Sequence, residues 1–258
     1  MSQLSTGLGI DIGGTGIKGA PVDLSTGEFL AERRKLPTPE HSDPATVARS
    51  VEKIVAHFPE AADAPLGITF PGVVHDGVVH TAANLHKSWV GTDATALFSE
   101  VLGRPVQVLN DADAAALAEV RHGAAKDTSG VVLLTTLGTG IGTALIVDGH
   151  LVPNTEFGHL EIDGHDAETR ASSGARQRDG LSYRDWAQQR LQRYYRVIED
   201  LLWPTLIVVG GGVSRRSEEF LPHLDIRTPI VPAQLRNTAG VVGAASAASR
   251  GREGLSGH

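Results

Sequence analysis

Near the start of the chain, a short apolar segment at residues 8–12, which we predict to be a strand, carries an acid close to its end and is followed at once by glycines. The acid is Asp11, and the groups after it are Gly13, Gly14, Thr15 and Lys18. Glycine turns present backbone N–H groups to phosphate oxygens, a hydroxyl and an ammonium add donors, and a carboxylate can face hydrated Mg²⁺. The segment matches neither G-x-x-x-x-G-K-[ST] nor G-x-G-x-x-G. It predicts a phosphate-binding loop with Asp11 near the metal, and a plain hairpin is the alternative.

A second acid follows the predicted strand at residues 106–109. Asn110 and Asp111 stand there, directly before an alanine-rich segment predicted to be helical at residues 112–120. Asp111 could act as the base that deprotonates a hydroxyl, while Asn110 fixes a neighbouring hydroxyl; phosphoryl transfer needs little more than such positioning. The alternative is that these residues only cap the helix.

The sequence E-F-G-H places Glu156 and His159 three residues apart around a glycine. Both side chains can bind the hydroxyls of a polyol, one as an acceptor and the other as a donor or acceptor. A metal site would need further ligands from the nearby residues Glu161, Asp163, His165 and Asp166. A pair of polar surface residues is the third interpretation.

Further glycines follow other predicted strands. The strand at residues 131–136 leads into Gly138, Thr139, Gly140 and Gly142, and the strand at residues 206–209 leads into Gly210, Gly211 and Gly212. Gly72 follows the strand at residues 66–70, and Asn84 offers an amide shortly after it. Such glycines allow a ligand to approach the backbone closely, although the triple glycine also suits a mobile surface turn.

The composition limits the classes of function. The chain has 258 residues, 41% of them apolar, a net charge of −7 and no cysteine. These values argue against a nucleic-acid binder and exclude thiol chemistry and disulfides. We find no apolar run long enough to span a membrane and no signal peptide, and we expect a cytoplasmic enzyme. Seven arginines between residues 170 and 196, against two aspartates, suggest either a solvated helix face or an anion-binding surface.

The apolar segments alternate with helix-like segments, which predicts an α/β fold. Besides the strands named above, residues 143–147 read as a strand. Asp43 and Pro44 begin a predicted helix that runs to about residue 58, and Ser182 begins another whose apolar stripe extends to Leu201. Two glycine-rich hairpins, at residues 9–22 and 133–147, suggest two related halves that hold a ligand between them.

These motifs together resemble the ROK family of sugar kinases and sugar-responsive repressors, in the actin-like ATPase superfamily. The resemblance covers about residues 8–250 and is carried by D-I-G-G-T-G-I-K, N-D-A-D-A-A-A-L-A-E, L-G-T-G-I-G, E-F-G-H and G-G-G-V-S. It implies a two-lobed, ribonuclease H-like α/β fold with the active site in the interlobe cleft. The implied domains are residues 1–110 and 111–237, with a helix at 238–250 packing back on the first. It also implies a homodimer.

A narrower resemblance, to polyphosphate glucokinases, is carried by A-N-L-H-K-S-W at residues 83–89, L-W-P at 202–204 and V-P-A-Q-L-R-N at 231–237. It implies phosphoryl transfer to the 6-hydroxyl of glucose from polyphosphate, and also from ATP, with Mg²⁺. A strictly ATP-dependent ROK glucokinase or hexokinase is the alternative. A repressor is disfavoured, because the phosphate loop begins too early to leave room for a helix-turn-helix.

The resemblance also implies residue roles. Asp111 resembles the catalytic base, and the positions that match sugar contacts are Gly72, Asn84, Asn110, Glu156, His159 and Glu168. The glycine-rich segments that begin at Asp11, Gly138 and Gly210 resemble phosphate- and nucleotide-binding loops. The cysteine-rich zinc loop of typical members is missing, so no structural zinc is expected, and Glu161 competes with Glu168 as third acidic ligand. His86 stands where polyphosphate glucokinases usually carry an aspartate.

Overall fold

The computed structural model describes residues 6–255, and the side chains of residues 6–249. The chain forms two compact units, one from residues up to 118 together with those from 238 onward, the other from residues 119–237. Among the described residues, no helix has the length and apolar character needed to cross a membrane.

The first unit is built on a five-stranded mixed sheet with the order β3-β2-β1-β4-β7. Its strands are β1 (Thr6–Ile12), β2 (Gly16–Asp23), β3 (Arg34–Pro37), β4 (Leu66–Phe70) and β7 (Val106–Asn110). β1 runs antiparallel to β2 and parallel to β4, which is parallel to β7. The short strands β5 (Val74–His75) and β6 (Val78–Val79) form a hairpin. The helices are α1 (Pro44–Val55), α2 (Ala94–Leu102), α3 (Asp111–His122) and α8 (Ala239–Leu255).

The two faces of β1 differ because its residues alternate between glycine and large apolar side chains. Leu8 and Ile10 are fully buried in one core cluster, with Val47 and Val51 of α1. On the other face, a Cβ added to Gly9 would lie 1.9 Å from the carbonyl oxygen of Val241 in α8. The glycines of β1 therefore let a helix pack directly on the strand backbone.

The second unit repeats this plan with the sheet order β10-β9-β8-β13-β14. Its strands are β8 (Val131–Leu137), β9 (Ile141–Val147), β10 (His150–Val152), β13 (Leu206–Gly210) and β14 (Ile230–Pro232). A separate hairpin consists of β11 (Glu161–Ile162) and β12 (His165–Asp166). The helices are α4 (Glu168–Ala171), α5 (Ser173–Arg178), α6 (Tyr183–Trp186) and α7 (Gln192–Leu202).

The six predicted strands are confirmed, each within two residues of its predicted bounds. The helix predicted to reach residue 58 ends at Val55, because Pro59 disfavours helical geometry in the residue before it. Its predicted cap is confirmed, since the Asp43 carboxylate accepts hydrogen bonds from the N–H groups of Ala45 and Thr46.

The prediction that the apolar stripe reaches Leu201 is wrong for this last residue. Five residues, Ala187–Leu191, form a π-helical turn between α6 and α7. The predicted stripe stays buried beyond this turn as far as Ile198, and its next position against the core lies four residues further on instead of three. Tyr194 and Ile198 are buried, while Leu201 is 60% exposed and Leu202 packs against the core instead.

The contact between α8 and α3 gives a stability prediction. A Cβ on Gly243 would lie 1.8 Å from the carbonyl oxygen of Ala114 in α3. We expect Gly243→Ala to lower the free energy of unfolding by roughly 1–3 kcal/mol, because the helices must move apart. Urea titration measures this, with Gly212→Ala as the control, since a Cβ there meets nothing within 4 Å. Equal stability of the two variants would contradict the packing described here.

Candidate active site

Three parallel strands of the first unit end at the same edge of its sheet. Asp11 of β1 is in register with Thr69 of β4, which is in register with Leu109 of β7. Neighbouring strands lie about 4.8 Å apart, so the ends of β1 and β7 are separated by about 10 Å. Asn110 and Asp111 follow Leu109 directly. The structure thus brings the two acids singled out in the sequence to one edge.

The carboxylate of Asp11 is held from several sides. Thr69 Oγ1 donates a hydrogen bond to Oδ1 at 2.9 Å, and Lys18 Nζ lies 2.9 Å from Oδ2. A Cβ on Gly240, in the first turn of α8, would lie 2.6 Å from Oδ2. A helix N-terminus favours negative charge beside it. Asp11 is therefore an oriented carboxylate, with 16% of its side chain exposed.

The loop after β1 is a tight turn. The N–H of Gly13 donates to the carbonyl of Gly16 at 3.0 Å, and Thr38 Oγ1 donates to the carbonyl of Gly13 at 2.5 Å. Gly14 and Thr15 are exposed at the tip. A Cβ on Gly14 would lie 3.0 Å from Cβ of Asn84, so the structure brings the predicted sugar-binding amide beside the predicted phosphate loop.

Asn110 performs the capping role that the sequence left open. Its Oδ1 accepts hydrogen bonds from the N–H groups of Ala112 at 2.8 Å and Asp113 at 3.1 Å. Its Nδ2 donates to the carbonyl of Gly72 at 3.0 Å. A side chain at Gly72 would clash with the backbone, because its Cβ would lie 2.1 Å from the carbonyl oxygen of Thr81. Asn110 and Gly72 are thus joined, and Asn110 is buried.

Asp111 is the first residue of α3 and is exposed. Its Oδ1 accepts a hydrogen bond from the N–H of Ala112 at 2.8 Å, in the first turn of the helix. The carboxylate is thus held at a helix N-terminus at the end of β7, while remaining accessible to a substrate.

In the second unit, the E-F-G-H segment is fixed to β9. Thr143 Oγ1 accepts a hydrogen bond from the N–H of Phe157 at 3.0 Å and donates to the carbonyl of Thr155 at 2.6 Å. A Cβ on Gly158 would lie 2.0 Å from the carbonyl oxygen of Ile141. Only glycine fits at this position, and the contact sets where Glu156 and His159 emerge.

Glu156 and His159 lie close together. His159 Nε2 is 3.9 Å from Glu156 Oε2, and His159 Nδ1 is 2.8 Å from Asp166 Oδ2. The hydrogen bond to Asp166 is the main cause that raises the pKa of His159, and the charges of Glu168 and Glu156 add to it. Partial burial raises the pKa of Glu156, which the charge of His159 opposes.

Glu168 belongs to the same group. Its Oε2 accepts a hydrogen bond from the N–H of Ile141 at 3.0 Å, beside Gly140. Glu161, its competitor, lies on β11 with an exposed side chain. Within the described part of the chain, His159, Asp166 and Glu168 each offer an atom within 4.8 Å of the others. Hydrogen bonds within the protein account for this grouping, so it carries no metal assignment.

The other glycine-rich segments lie at the ends of β8 and β13. The N–H of Gly138 donates to the carbonyl of Gly140 at 3.0 Å, which places Thr139 at the tip of the turn, while Gly142 lies within β9. Gly210 ends β13 in register with Thr136. Gly211 has a φ of 80° and packs against the backbone of Leu137, and Gly212 follows it. The structure therefore brings the loops beginning at Gly138 and Gly210 to one edge of the second sheet.

The arginine-rich segment is less cationic than its sequence indicates. Carboxylates from distant positions pair with it: Asp163 lies 2.8 Å from Arg193, and Asp225 lies 3.0 Å from Arg196. Arg176 lies over the ring of Tyr183. The solvated-face interpretation therefore fits these side chains better than an anion-binding surface.

Sequence reasoning did not assign a role to Thr69 or Asp166. Thr69 is fully buried, and it contacts both the carboxylate of Asp11 and the N–H of Ile12. A buried threonine at the end of an otherwise apolar strand was the available signal. Asp166 appeared in the sequence only as one of several acids near His159, with nothing to separate it from its neighbours.

Comparison with known proteins places the chain in a family. The family model described as "ROK family" matches residues 7–177. The polyphosphate glucokinase of Mycobacterium tuberculosis (strain CDC 1551 / Oshkosh) is 51% identical over 242 residues, which cover 93% of this chain and 90% of that protein. The chain therefore belongs to the ROK family, and the prediction made from its motifs is confirmed.

Solved structures agree with this assignment. The inorganic polyphosphate/ATP-glucomannokinase from Arthrobacter sp. strain KM has a TM-score of 0.91 and 57% identity, covering 96% of this chain and 99% of that chain. A ROK family glucokinase from Streptomyces griseus, in complex with glucose and AMPPNP, has a TM-score of 0.78 and 27% identity, covering 95% and 99%. The predicted α/β fold of the actin-like ATPase class is confirmed.

Proposed function

We propose that the protein is a glucokinase that transfers a phosphoryl group from inorganic polyphosphate, and also from ATP, to the 6-hydroxyl of glucose. The observation that carries this proposal is that two acids, Asp11 and Asp111, lie at one edge of the first sheet, at the ends of parallel strands. Thr69 and Lys18 hold the carboxylate of Asp11 there. The 51% identity to a polyphosphate glucokinase over most of the chain supports the choice of substrates.

On the acceptor side, Asp111 accepts the proton of the 6-hydroxyl as that oxygen attacks the terminal phosphorus atom. The bond from this phosphorus to its bridging oxygen breaks, and the shortened polyphosphate or ADP leaves with the bridging oxygen. Asn84, Glu156, His159 and Glu168 hold the other hydroxyls of the sugar. Asn110 acts by fixing the backbone at Gly72 and the start of α3, since its oxygen is engaged by two N–H groups of that helix. Positioning the hydroxyl in line with the donor can supply roughly 7–11 kcal/mol of the barrier reduction.

On the donor side, we assign phosphate oxygens to the N–H groups and the hydroxyl of the loop from Gly13 to Thr15, and to the loops that begin at Gly138 and Gly210. Lys18 compensates negative charge on the donor as well as that of Asp11, with which it is paired. Exposed loop tips at Gly14 and Thr139 suit a donor that extends into solvent.

Asp11 also fits a magnesium ion bound through water. Its oxygens are oriented by Thr69 and Lys18, and part of the carboxylate is exposed. Oxygen ligands and retained waters are what Mg²⁺ prefers. When bound, the ion would neutralise charge on the donor phosphates.

A coupled assay tests the proposal. Glucose 6-phosphate formation is followed with polyphosphate and ATP supplied separately at matched Mg²⁺, and with mannose as a second acceptor because the Arthrobacter relative is a glucomannokinase. We expect turnover of glucose with both donors. Turnover with ATP alone would favour the strictly ATP-dependent alternative, and no turnover with either donor would refute the proposal. Light scattering would test the homodimer that we also propose from the family resemblance.

Lys35 offers a test of how a long donor is held. It lies on β3 opposite Lys18 of β2, and its Nζ is 3.7 Å from the position of a Cβ on Gly16, at the end of the phosphate loop. We expect Lys35→Ala to raise the KM for polyphosphate. We also expect the slope of log KM against log[salt] to fall by about 0.7 for each phosphate that the side chain neutralises. The KM for ATP changes less, because ATP is shorter.

The matched control for Lys35 is Lys53→Ala, an exposed lysine in the last turn of α1. It removes the same charge away from the loop, and we expect no change in the salt dependence. Equal effects of Lys35→Ala on polyphosphate and ATP would contradict a separate role for Lys35 in holding the longer donor.

A further inference from the structure

Asp166 contacts two residues of the candidate sugar site with its two carboxylate oxygens. Oδ2 lies 2.8 Å from His159 Nδ1, and Oδ1 accepts a hydrogen bond from the N–H of Glu168 at 3.1 Å. An ionised carboxylate only accepts hydrogen bonds, so the proton of this pair lies on Nδ1 of His159. The other ring nitrogen, Nε2, is then the one on the side of Glu156, at 3.9 Å.

We propose that Asp166 is a positioning residue that orients both His159 and Glu168 toward the hydroxyls of the sugar. This inference rests on the proposed function, in which those two residues bind glucose. Asp166 itself need not contact the sugar, because both of its oxygens are engaged by residues that do.

The contact with Glu168 extends to the glycine loop. Glu168 opens the short helix α4, and Thr169 Oγ1 donates back to the carbonyl of Asp166 at 2.6 Å. The side-chain carboxylate of Glu168 accepts a hydrogen bond from the N–H of Ile141 at 3.0 Å. Asp166 thus fixes the backbone of Glu168, while β9 fixes its carboxylate.

The hairpin that carries Asp166 is itself held in place. Asp166 pairs with Glu161 across β11 and β12, whose turn contains Asp163 and Gly164 with positive φ angles. Asp163 makes two short contacts with Arg193 of α7, at 2.8 and 3.0 Å. The position of Asp166 is therefore set by the second unit as a whole.

The charges around His159 favour its protonated form. The groups that face it are Asp166, Glu168 and Glu156, which are all acidic, and together they raise its pKa. A protonated imidazole bonded to Asp166 through Nδ1 presents Nε2–H as a donor. This N–H donates a hydrogen bond, whereas the carboxylate of Glu156 accepts one. The hydroxyl groups of one sugar can do both, so they can bind both residues.

Three variants test the inference in the full-length protein. Asp166→Asn keeps the shape and an oxygen for the N–H of Glu168, but removes the charge beside His159. Asp166→Ala removes both contacts. Asp225→Asn is the control, since it removes the charge that pairs with Arg196 of α7 in the same unit without contacting His159, Glu168 or the hairpin that carries Asp166. The readouts are KM and kcat for glucose, KM for polyphosphate, and the titration of the His159 ring by NMR, assigned with His159→Gln.

We expect Asp166→Asn to raise the KM for glucose roughly tenfold, as for the removal of a hydrogen bond to a charged group, and Asp166→Ala to raise it further. The KM for polyphosphate stays near its wild-type value. In Asp166→Asn the midpoint of the His159 titration falls toward its ordinary value, and in Asp225→Asn both the KM for glucose and this midpoint stay close to wild type.

Two results would overturn the inference: an unchanged His159 titration in Asp166→Asn, or an equal rise in the KM for glucose in Asp225→Asn. The titration is independent of catalysis. If the wild-type protein did not phosphorylate glucose, the proposed function would fail, while the shift in Asp166→Asn would still establish that Asp166 controls His159.

Discussion

Replacing Asp111 by asparagine is expected to lower kcat for glucose phosphorylation by roughly 10²- to 10⁴-fold, the range typical of removing a general base. The exposed carboxylate at the start of α3 is the group to which we assign the proton of the 6-hydroxyl. Asparagine retains an oxygen that can accept the N–H of Ala112. Steady-state kinetics with each donor should show the same loss, because the proton belongs to the acceptor.

The control for this variant is Asp93→Asn. Asp93 also stands at a helix start, where its Oδ1 accepts the N–H of Ala96 in α2. We expect this variant to keep nearly full activity, which separates the loss of a base from the loss of a helix-terminal charge. An Asp111→Asn variant that kept more than about a tenth of wild-type kcat would remove Asp111 from the role of base.

Replacing Asp11 by asparagine is expected to have the second largest effect. The variant keeps an oxygen for the hydrogen bond from Thr69 but loses the charge that faces Lys18 and to which we assign the metal. We expect kcat to fall roughly 100-fold with both donors, equivalent to about 2.7 kcal/mol of transition-state stabilisation, and the Mg²⁺ concentration for half-maximal activity to rise. Activity measured against Mg²⁺ concentration gives both values.

Asp23→Asn is the matched control for Asp11→Asn, because Asp23 ends β2 at the opposite end of the β1–β2 pair. It removes the same charge from the same sheet and should leave the Mg²⁺ dependence unchanged. An Asp11→Asn variant with wild-type dependence on Mg²⁺ would show that the metal is held elsewhere.

The sheets could be predicted from the sequence because their strands are short apolar segments that end in glycines or polar residues. Residues 66–70 match β4 without any shift. The direct packing of α8 on Gly9 could not be derived from local pattern, since the contact joins residues more than 200 positions apart. The end of the stripe was missed because Leu201 and Leu202 stand three and four residues after Ile198, and helical spacing alone does not choose between them.

The candidate site was predictable where a residue type has few uses, as with Asp11 beside two glycines. Asn110 shows the limit of prediction from the sequence, because an asparagine at the start of a helix can serve either as a helix cap or as a sugar ligand. Only the hydrogen bonds in the structure show that its oxygen caps the helix. The arginines show another limit. Their charge is balanced by Asp163 and Asp225, whose proximity depends on tertiary structure.

The most direct test of the central claim is to incubate the purified protein with glucose, Mg²⁺ and nucleotide-free polyphosphate, and to follow the reaction by ³¹P NMR. We predict a growing phosphomonoester signal that correlates with the protons on C6 of glucose, with a matching loss of polyphosphate. No phosphomonoester under these conditions, from protein that is folded and supplied with Mg²⁺, would contradict the assignment of polyphosphate as the donor.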